Sequence, residues 1–285
     1  MKMLTRRFLL LVLVSLSVWG CGSDQSQPIG KITIGVVSLE RNPEKLDQYA
    51  KLQTYLGERL SSIIELEPTY NEIHALNQVK QQNWDIVFAP PGVAAIATSQ
   101  FRYQPIFAME GGTQNRSLIL VRQENPAQNI NDLSNKVVAL GQPGSATGYY
   151  FPLFNLYGLT LAEIKFADTP EMVMQWIADK TVDAGAVSQG EYAQYRSQFP
   201  PQTFRVLATD RHGVPSGSVL LNPNLEARLQ SQIKDAMTQV SPAIAASAGY
   251  LLEVPLPDYD NLIDVIEKIN PIANQLKQTP AVVHE

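Results

Sequence analysis

Three apolar runs of strand length, KITIGVV from residue 31, IIELEPT from residue 63 and WDIVFA from residue 84, are separated by stretches of helical spacing. This alternation constrains the fold most, because strand, helix and strand in succession return each strand parallel to the last. Between the first two runs, Leu46, Tyr49, Gln53, Leu56 and Leu60 fall near one helical face, with Asn42 as a cap before Pro43. EIHALNQVKQQ and PPGVAAIATSQ supply the next helices, so the first hundred residues predict a parallel α/β sheet.

YQPIFAME and SLILVRQ, on either side of the turn-rich GGTQNR, read as two extended passes that carry the chain into a second unit. That unit contains NINDLSNKVVALGQPG, a capped helix and a strand, then GYYFPLFNLYGL, a helix interrupted at Pro152. Strand and helix then repeat twice, RVLATD and SVLLN flank the loop RHGVPSG, and from Pro223 the chain reads mostly helical and is expected to rejoin the first unit. The fold expected is α/β with two lobes, residues 113–215 inserted between 31–112 and 216–285, and a ligand cleft between them. The crossings near 105–122 and 205–220 would serve as the hinge. Ligands of open α/β sheets bind beyond the carboxyl ends of the strands, so the tips VFAPPG and VALGQPG are expected to face one cleft.

The first twenty residues, MKMLTRRFLLLVLVSLSVWG, carry Lys2, Arg6 and Arg7 ahead of an apolar run from Phe8 to Trp19, the pattern of a secretory signal. The run is shorter than the roughly 20 apolar residues of a membrane-spanning helix. VWGC is similar to a bacterial lipobox, and Cys21 is the only cysteine, so an internal disulfide is excluded and lipidation at Cys21 is expected. Residues 21–30 then form a polar tether, and the product lies on the periplasmic or cell-surface side of the membrane it is anchored to. The formal charge of the whole chain is -5, and without residues 1–20 it is -8. An acidic chain without a basic cluster after its start is a poor partner for nucleic acid. It must bind any anion through local geometry.

GQPGSATGYYFP, Gly141 to Pro152, places Ser145, Ala146, Thr147 and Gly148 at an expected helix start. Unpaired amides, a partial positive charge and hydroxyls there form an anion cradle without a lysine. The alternative is that Ser145 or Thr147 simply caps the helix.

The order VVALGQPGSATGYYFP, preceded by DLSNK and followed by VDAGAVSQGEY, resembles the phosphate, phosphite and phosphonate-binding periplasmic proteins of ABC importers, as does WDIVFAPPGV. The resemblance runs from about residue 31 to about residue 225. It implies a type II periplasmic-binding-protein fold, a small anionic ligand such as phosphonate, phosphite or phosphate, an ABC permease as partner, no cofactor and no catalysis. Ser145 and Thr147 match two serines that hold the oxyanion, and Ala146 stands where the family usually has threonine. Tyr70 matches a tyrosine of the cleft wall. Pro91 and Gly92 fall at a strand tip, with Val93 where many members carry an aromatic residue. Thr169 and Pro170 stand near a position where a histidine is common, so two side-chain donors of the family pattern are absent.

Ser188, Gln189 and Glu191 follow the strand VDAGAV and either reach the cleft or cap the next helix. Glu191 would be the counter-ion for an amine on the ligand. Tyr149 and Tyr150 are expected to divide, one to the core and one to the cleft. His74, His212 and His284 stand at no metal-ligand spacing, and no metal site is expected. His74 is expected on a helix face and His212 near the cleft border; Asp85 and Asp183 are expected in turn or capping roles. An enzyme on the same fold is opposed by the export signal and by the lack of clustered acid, base or nucleophile. A sensor that signals to a membrane receptor would need the same cleft. The binding protein is expected as a monomer.

Overall fold

The structure, a computed structural model, describes residues 30–38, 44–111 and 115–284. The signal segment 1–20, Cys21, nearly all of the tether and the Asn42 cap lie outside the described residues. The chain builds β1 (Lys31–Val37), β2 (Ile63–Thr69), β3 (Ile86–Ala89) and β4 (Gln104–Met109), then crosses to β5 (Ser117–Arg122), β6 (Val137–Leu140), β7 (Thr160–Leu161), β8 (Glu163–Phe166), β9 (Ala184–Ser188) and β10 (Phe204–Thr209). It returns through β11 (Ser218–Leu221) and β12 (Tyr250–Leu251) and ends at β13 (Ala281–Val282).

Two large sheets result, one per lobe, and β13 and β7 form a separate two-stranded ladder. The first has the order β12-β4-β11-β3-β1-β2 and the second β10-β5-β9-β6-β8. In each, a parallel trio (β2, β1, β3 and β8, β6, β9) is joined by an antiparallel strand that arrives from the other lobe. β11 enters the first sheet after β10 of the second, and β5 enters the second after β4 of the first. The two crossings, from β4 to β5 and from β10 to β11, therefore both pass between the sheets, and their main chains meet where Val214 N–H donates to Asn115 O at 2.9 Å.

Asp85 and Asp183 repeat one device in the two lobes. Each sits just before the third strand of its parallel trio and clasps the first. The Asp85 carboxylate accepts from Thr33 N–H at 2.8 Å and its own amide donates to Thr33 O at 2.9 Å. The Asp183 carboxylate accepts from Val137 N–H at 3.0 Å and its amide donates to Val137 O at 2.8 Å. Paired bonds of this kind register the strands, and partial burial holds the Asp85 carboxyl above its ordinary range.

Alternation along β1 divides the core. Ile32, Ile34 and Val36 pack with Leu52, Leu56, Ile233 and Met237 on one face. On the other face Trp84 covers Gly35, where a Cβ would lie 2.1 Å from the indole ring, so only glycine admits the tryptophan. That second face continues into the other lobe through Tyr149, Tyr150, Phe151 and the helix Asp260–Ile269. This helix buries Leu262, Val265, Ile266 and Ile269 along one stripe, each side chain contributing roughly 1.5–3 kcal/mol of burial. Residues 259–283, expected with the first lobe, instead straddle both: the helix packs on Val93 and Ile96 as well as the tyrosines, and β13 pairs with β7 of the second lobe. No described helix is long and apolar enough to cross a membrane.

Candidate functional site

A cavity of about 670 Å³ lies between the lobes where the strand tips converge. The first lobe contributes Val37 at the end of β1, Glu72, and Pro90, Pro91 and Gly92 at the end of β3; the second contributes Gly144 to Thr147 after β6 and Ser188 to Glu191 after β9. The crossings complete it with Met109 to Gly111, Asn115 and Val214 to Gly217.

Glycines bring the lobes together at its edge. A Cβ on Gly92 would lie 2.0 Å from the Gly144 carbonyl oxygen and 2.9 Å from the Ala146 nitrogen. Gly144 has φ +109°, and a Cβ there would lie 2.6 Å from Cβ of Glu72. Both positions exclude side chains, one for space and the other for backbone conformation as well.

The stretch that begins at Ser145 is a π-helical turn, Ala146–Tyr150, followed by a helix over Phe151–Asn155. Pro152 falls in the first turn of that helix, where its missing N–H costs nothing, and the wide turn precedes it. Ser145 Oγ accepts from Gly148 N–H at 3.0 Å, so Ser145 does cap the turn. Capping uses a lone pair and leaves the hydroxyl proton available to a ligand, so the two roles are compatible. Ser117 Oγ donates to the Thr147 carbonyl at 2.7 Å and pins the turn to β5.

Ser188 opens the helix Gln189–Tyr195 in a reciprocal cap: its hydroxyl accepts from Glu191 N–H at 3.0 Å, and the Glu191 carboxylate accepts from Ser188 N–H at 2.6 Å. Burial raises the Glu191 carboxyl above its ordinary range, against the lowering effect of the bonds from Ser188. Glu72, 4 % exposed in the first turn of the helix Glu72–Lys80, is pushed up to about 7, first by burial and then by the charge of Glu191. Among the described residues no lysine, arginine or histidine lines the cavity.

Of the residues singled out in the sequence, Pro91, Gly92, Ser145, Ala146, Thr147, Ser188, Gln189 and Glu191 are all brought to this cavity. Gly148 lies behind it, in a narrow recess shared with Ser145, Glu72 and Glu191 and closed by Thr169 and Pro170. Tyr70 lines neither space; the strand β2 ends just before it, and Glu72, two residues on, takes the wall. Tyr149 and Tyr150 do not divide: both are 3 % exposed and their rings meet edge to face at 5.0 Å, with burial raising Tyr149 to about 12. A π turn has no face left for the solvent once both sides are packed. His212 stacks on Phe151 at 5.7 Å and bonds Asp210, away from the cavity lining, and His74 is exposed on its helix. The described residues contain no cluster of three metal-ligating side chains.

Sequence reading missed Glu72 and the crossing residues Glu110, Asn115 and Ser216. Glu72 had a signal, since it stands at a helix start immediately after a strand tip. The crossing residues had none, because only the juxtaposition of two distant segments makes them a wall.

A comparison with curated proteins finds no match. Among solved structures, XAC2383 from Xanthomonas citri bound to chloride ion is similar at 17 % identity and TM-score 0.70, covering 85 % of this chain and 99 % of that one. PhnD1 from Prochlorococcus marinus in complex with methylphosphonate is similar at 16 % identity and TM-score 0.67, covering 85 % and 99 %. A binding protein component of an ABC phosphonate transporter from Pseudomonas aeruginosa is similar at 12 % identity and TM-score 0.64, covering 86 % and 89 %. At these identities the likeness concerns the fold, which is the two-lobe type II periplasmic-binding-protein architecture. The profile of the family described as "ABC transporter, phosphonate, periplasmic substrate-binding protein" matches residues 34–254, most of both lobes and every cleft wall described above. With two matched sheets, a cleft at their strand tips and a sequence match over more than half of its length, this chain belongs to the family of periplasmic substrate-binding proteins of phosphonate ABC transporters.

Proposed function

We propose that the cleft captures a small phosphorus oxyanion, a phosphonate, phosphite or phosphate, and presents it to an ABC permease without chemical change. The observation that carries this is the convergence, on one cavity, of Ser145 and Thr147 from one strand tip, Ser188 from another and the helix start at Pro91 and Gly92 from the facing lobe. Amides and hydroxyls from several elements bind an oxyanion by directed hydrogen bonds, and their gain is larger out of water than in it. Methylphosphonate bound to the Prochlorococcus relative supports the ligand class. Ala146 and Pro170 remove side-chain donors from the family pattern, so backbone amides carry a larger share here.

The protein acts as a monomer, held at the membrane by lipid on Cys21 and by the tether that follows, and the two crossings bend to open the cleft. A thermal-shift screen of phosphonate, phosphite, phosphate and unrelated organic acids tests the reading, because a ligand of the native state alone must stabilise it. Stabilisation by a phosphorus oxyanion, lost in the double variant Ser145→Ala, Thr147→Ala, is the expected result. A response only to an unrelated acid would refute the ligand class.

A further inference from the structure

Glu72 is a first-lobe carboxyl set into the second lobe. Gly144 of the second lobe lies over its Cβ, and the recess it enters is walled by second-lobe residues, Gln142, Ser145 and Gly148 among them. Glu191, also of the second lobe, lines the same recess and the main cavity. The described titratable groups that bound these two spaces are Glu72, Glu191, Asp168 and Glu110, all acidic. Glu72 is buried and Glu191 half-buried; a carboxyl shut away from water and facing a second carboxylate, with no cation beside it, keeps its proton more readily.

We propose that the Glu72–Glu191 pair, one carboxyl from each lobe, holds a single proton when the lobes meet, so that capture of an anion by closure takes up a proton and Glu72 sets how affinity depends on pH. Burial of Glu72 comes from the second lobe, so separation of the lobes returns it to water and to its ordinary acidity. Closure then takes the proton back by linkage. The retained proton also lessens the negative charge that an incoming anion meets, and a neutral carboxyl is a donor, where an ionised one only accepts. The inference rests on the reading of this cleft as the ligand site.

The test is titration calorimetry of the full-length protein with methylphosphonate from pH 5.5 to 8, in buffers of different ionisation enthalpy, on wild type, E72Q and E191Q. Comparison between proteins cancels the ligand's own ionisation. Relative to E72Q, wild type is expected to take up about half a proton more near pH 7 and to lose more than tenfold in affinity over the range, as the span between about 4.5 and about 7 requires. E191Q keeps the Ser188 cap through its amide oxygen and removes the like charge, so its pH transition moves to lower pH. Equal proton uptake by wild type and E72Q, or an unmoved transition in E191Q, overturns the inference while binding at pH 5.5 leaves the oxyanion reading intact. No binding of methylphosphonate, phosphite or phosphate at any pH overturns both.

Discussion

Gly92 of the first lobe and Gly144 of the second meet backbone to backbone, with room for no atom between the Gly92 α-carbon and the Gly144 carbonyl oxygen: a Cβ would sit 2.0 Å from it. The contact is made by main chain, which cannot swing aside as a side chain does. How closely the lobes approach is therefore set at this pair.

Gly92→Ala is expected to hold the lobes apart and weaken ligand binding by roughly tenfold or more, since relieving the overlap costs about 1–3 kcal/mol. The helix Pro91–Phe101 tolerates alanine well, so unliganded stability is expected to change little. Calorimetry for affinity and small-angle scattering for ligand-induced compaction check this. Undiminished affinity with normal compaction would count against it.

Ser145→Ala removes both a cap and a cleft hydroxyl. The cap is worth about 1 kcal/mol of unliganded stability. The stabilisation produced by saturating phosphonate is expected to fall by more than that, because the ligand loses a donor as well. Denaturant melts with and without ligand separate the two effects; equal losses in both conditions would leave Ser145 a cap alone.

Glu72 makes the stability of the closed, ligand-bound form depend on pH. In that form its value of about 7 exceeds the ordinary 4.5, so the closed state binds the extra proton and the benefit is fully present below about 4.5 and lost as pH rises through about 7. The penalty above neutrality is on the order of 3 kcal/mol for a group this buried. With saturating methylphosphonate, E72Q is expected to raise Tm relative to wild type at pH 8 and to leave it nearly unchanged at pH 4.5. A constant difference between the two proteins at both pH values would contradict the assignment.

Asp210 anchors the second crossing. It is 3 % exposed and accepts from Asn155 Nδ2 at 2.5 Å and from His212 N–H at 2.6 Å, while Arg116 of the other crossing donates to its carbonyl at 3.3 Å. Asp210→Ala removes an acceptor from the half-buried Asn155 and His212 donors, leaving Asn155 only its bond to Phe151 O, and is expected to cost about 1–3 kcal/mol. Chemical denaturation measures the loss, and hydrogen exchange at residues 210–217 is expected to speed up before the rest of the second lobe.

Most of the fold was legible because strands and helices announce themselves locally. The runs KITIGVV, WDIVFA and VVAL are too apolar for any surface position, and the helical stretches between them force parallel pairing. The tail was not legible. Leu262, Val265, Ile266 and Ile269 declare an amphipathic helix, and nothing in their spacing says which surface they cover. The divided tyrosines failed for a related reason: adjacent residues point apart on an ordinary helix, but the π turn between Ser145 and Pro152 let the core enclose both Tyr149 and Tyr150.

Local sequence sufficed for the alternating α/β architecture, the two strand tips that carry Gly92 and Ser145, and the hydroxyls and small residues available there, since each depends on neighbours within a few positions. Tertiary packing alone put Glu72 and Glu191 in one recess, made the crossings a cavity wall and bound residues 259–283 to both lobes. Those outcomes depend on distances between segments far apart in the chain, and burial, which raises the proton affinity of Glu72, exists only after the lobes have met.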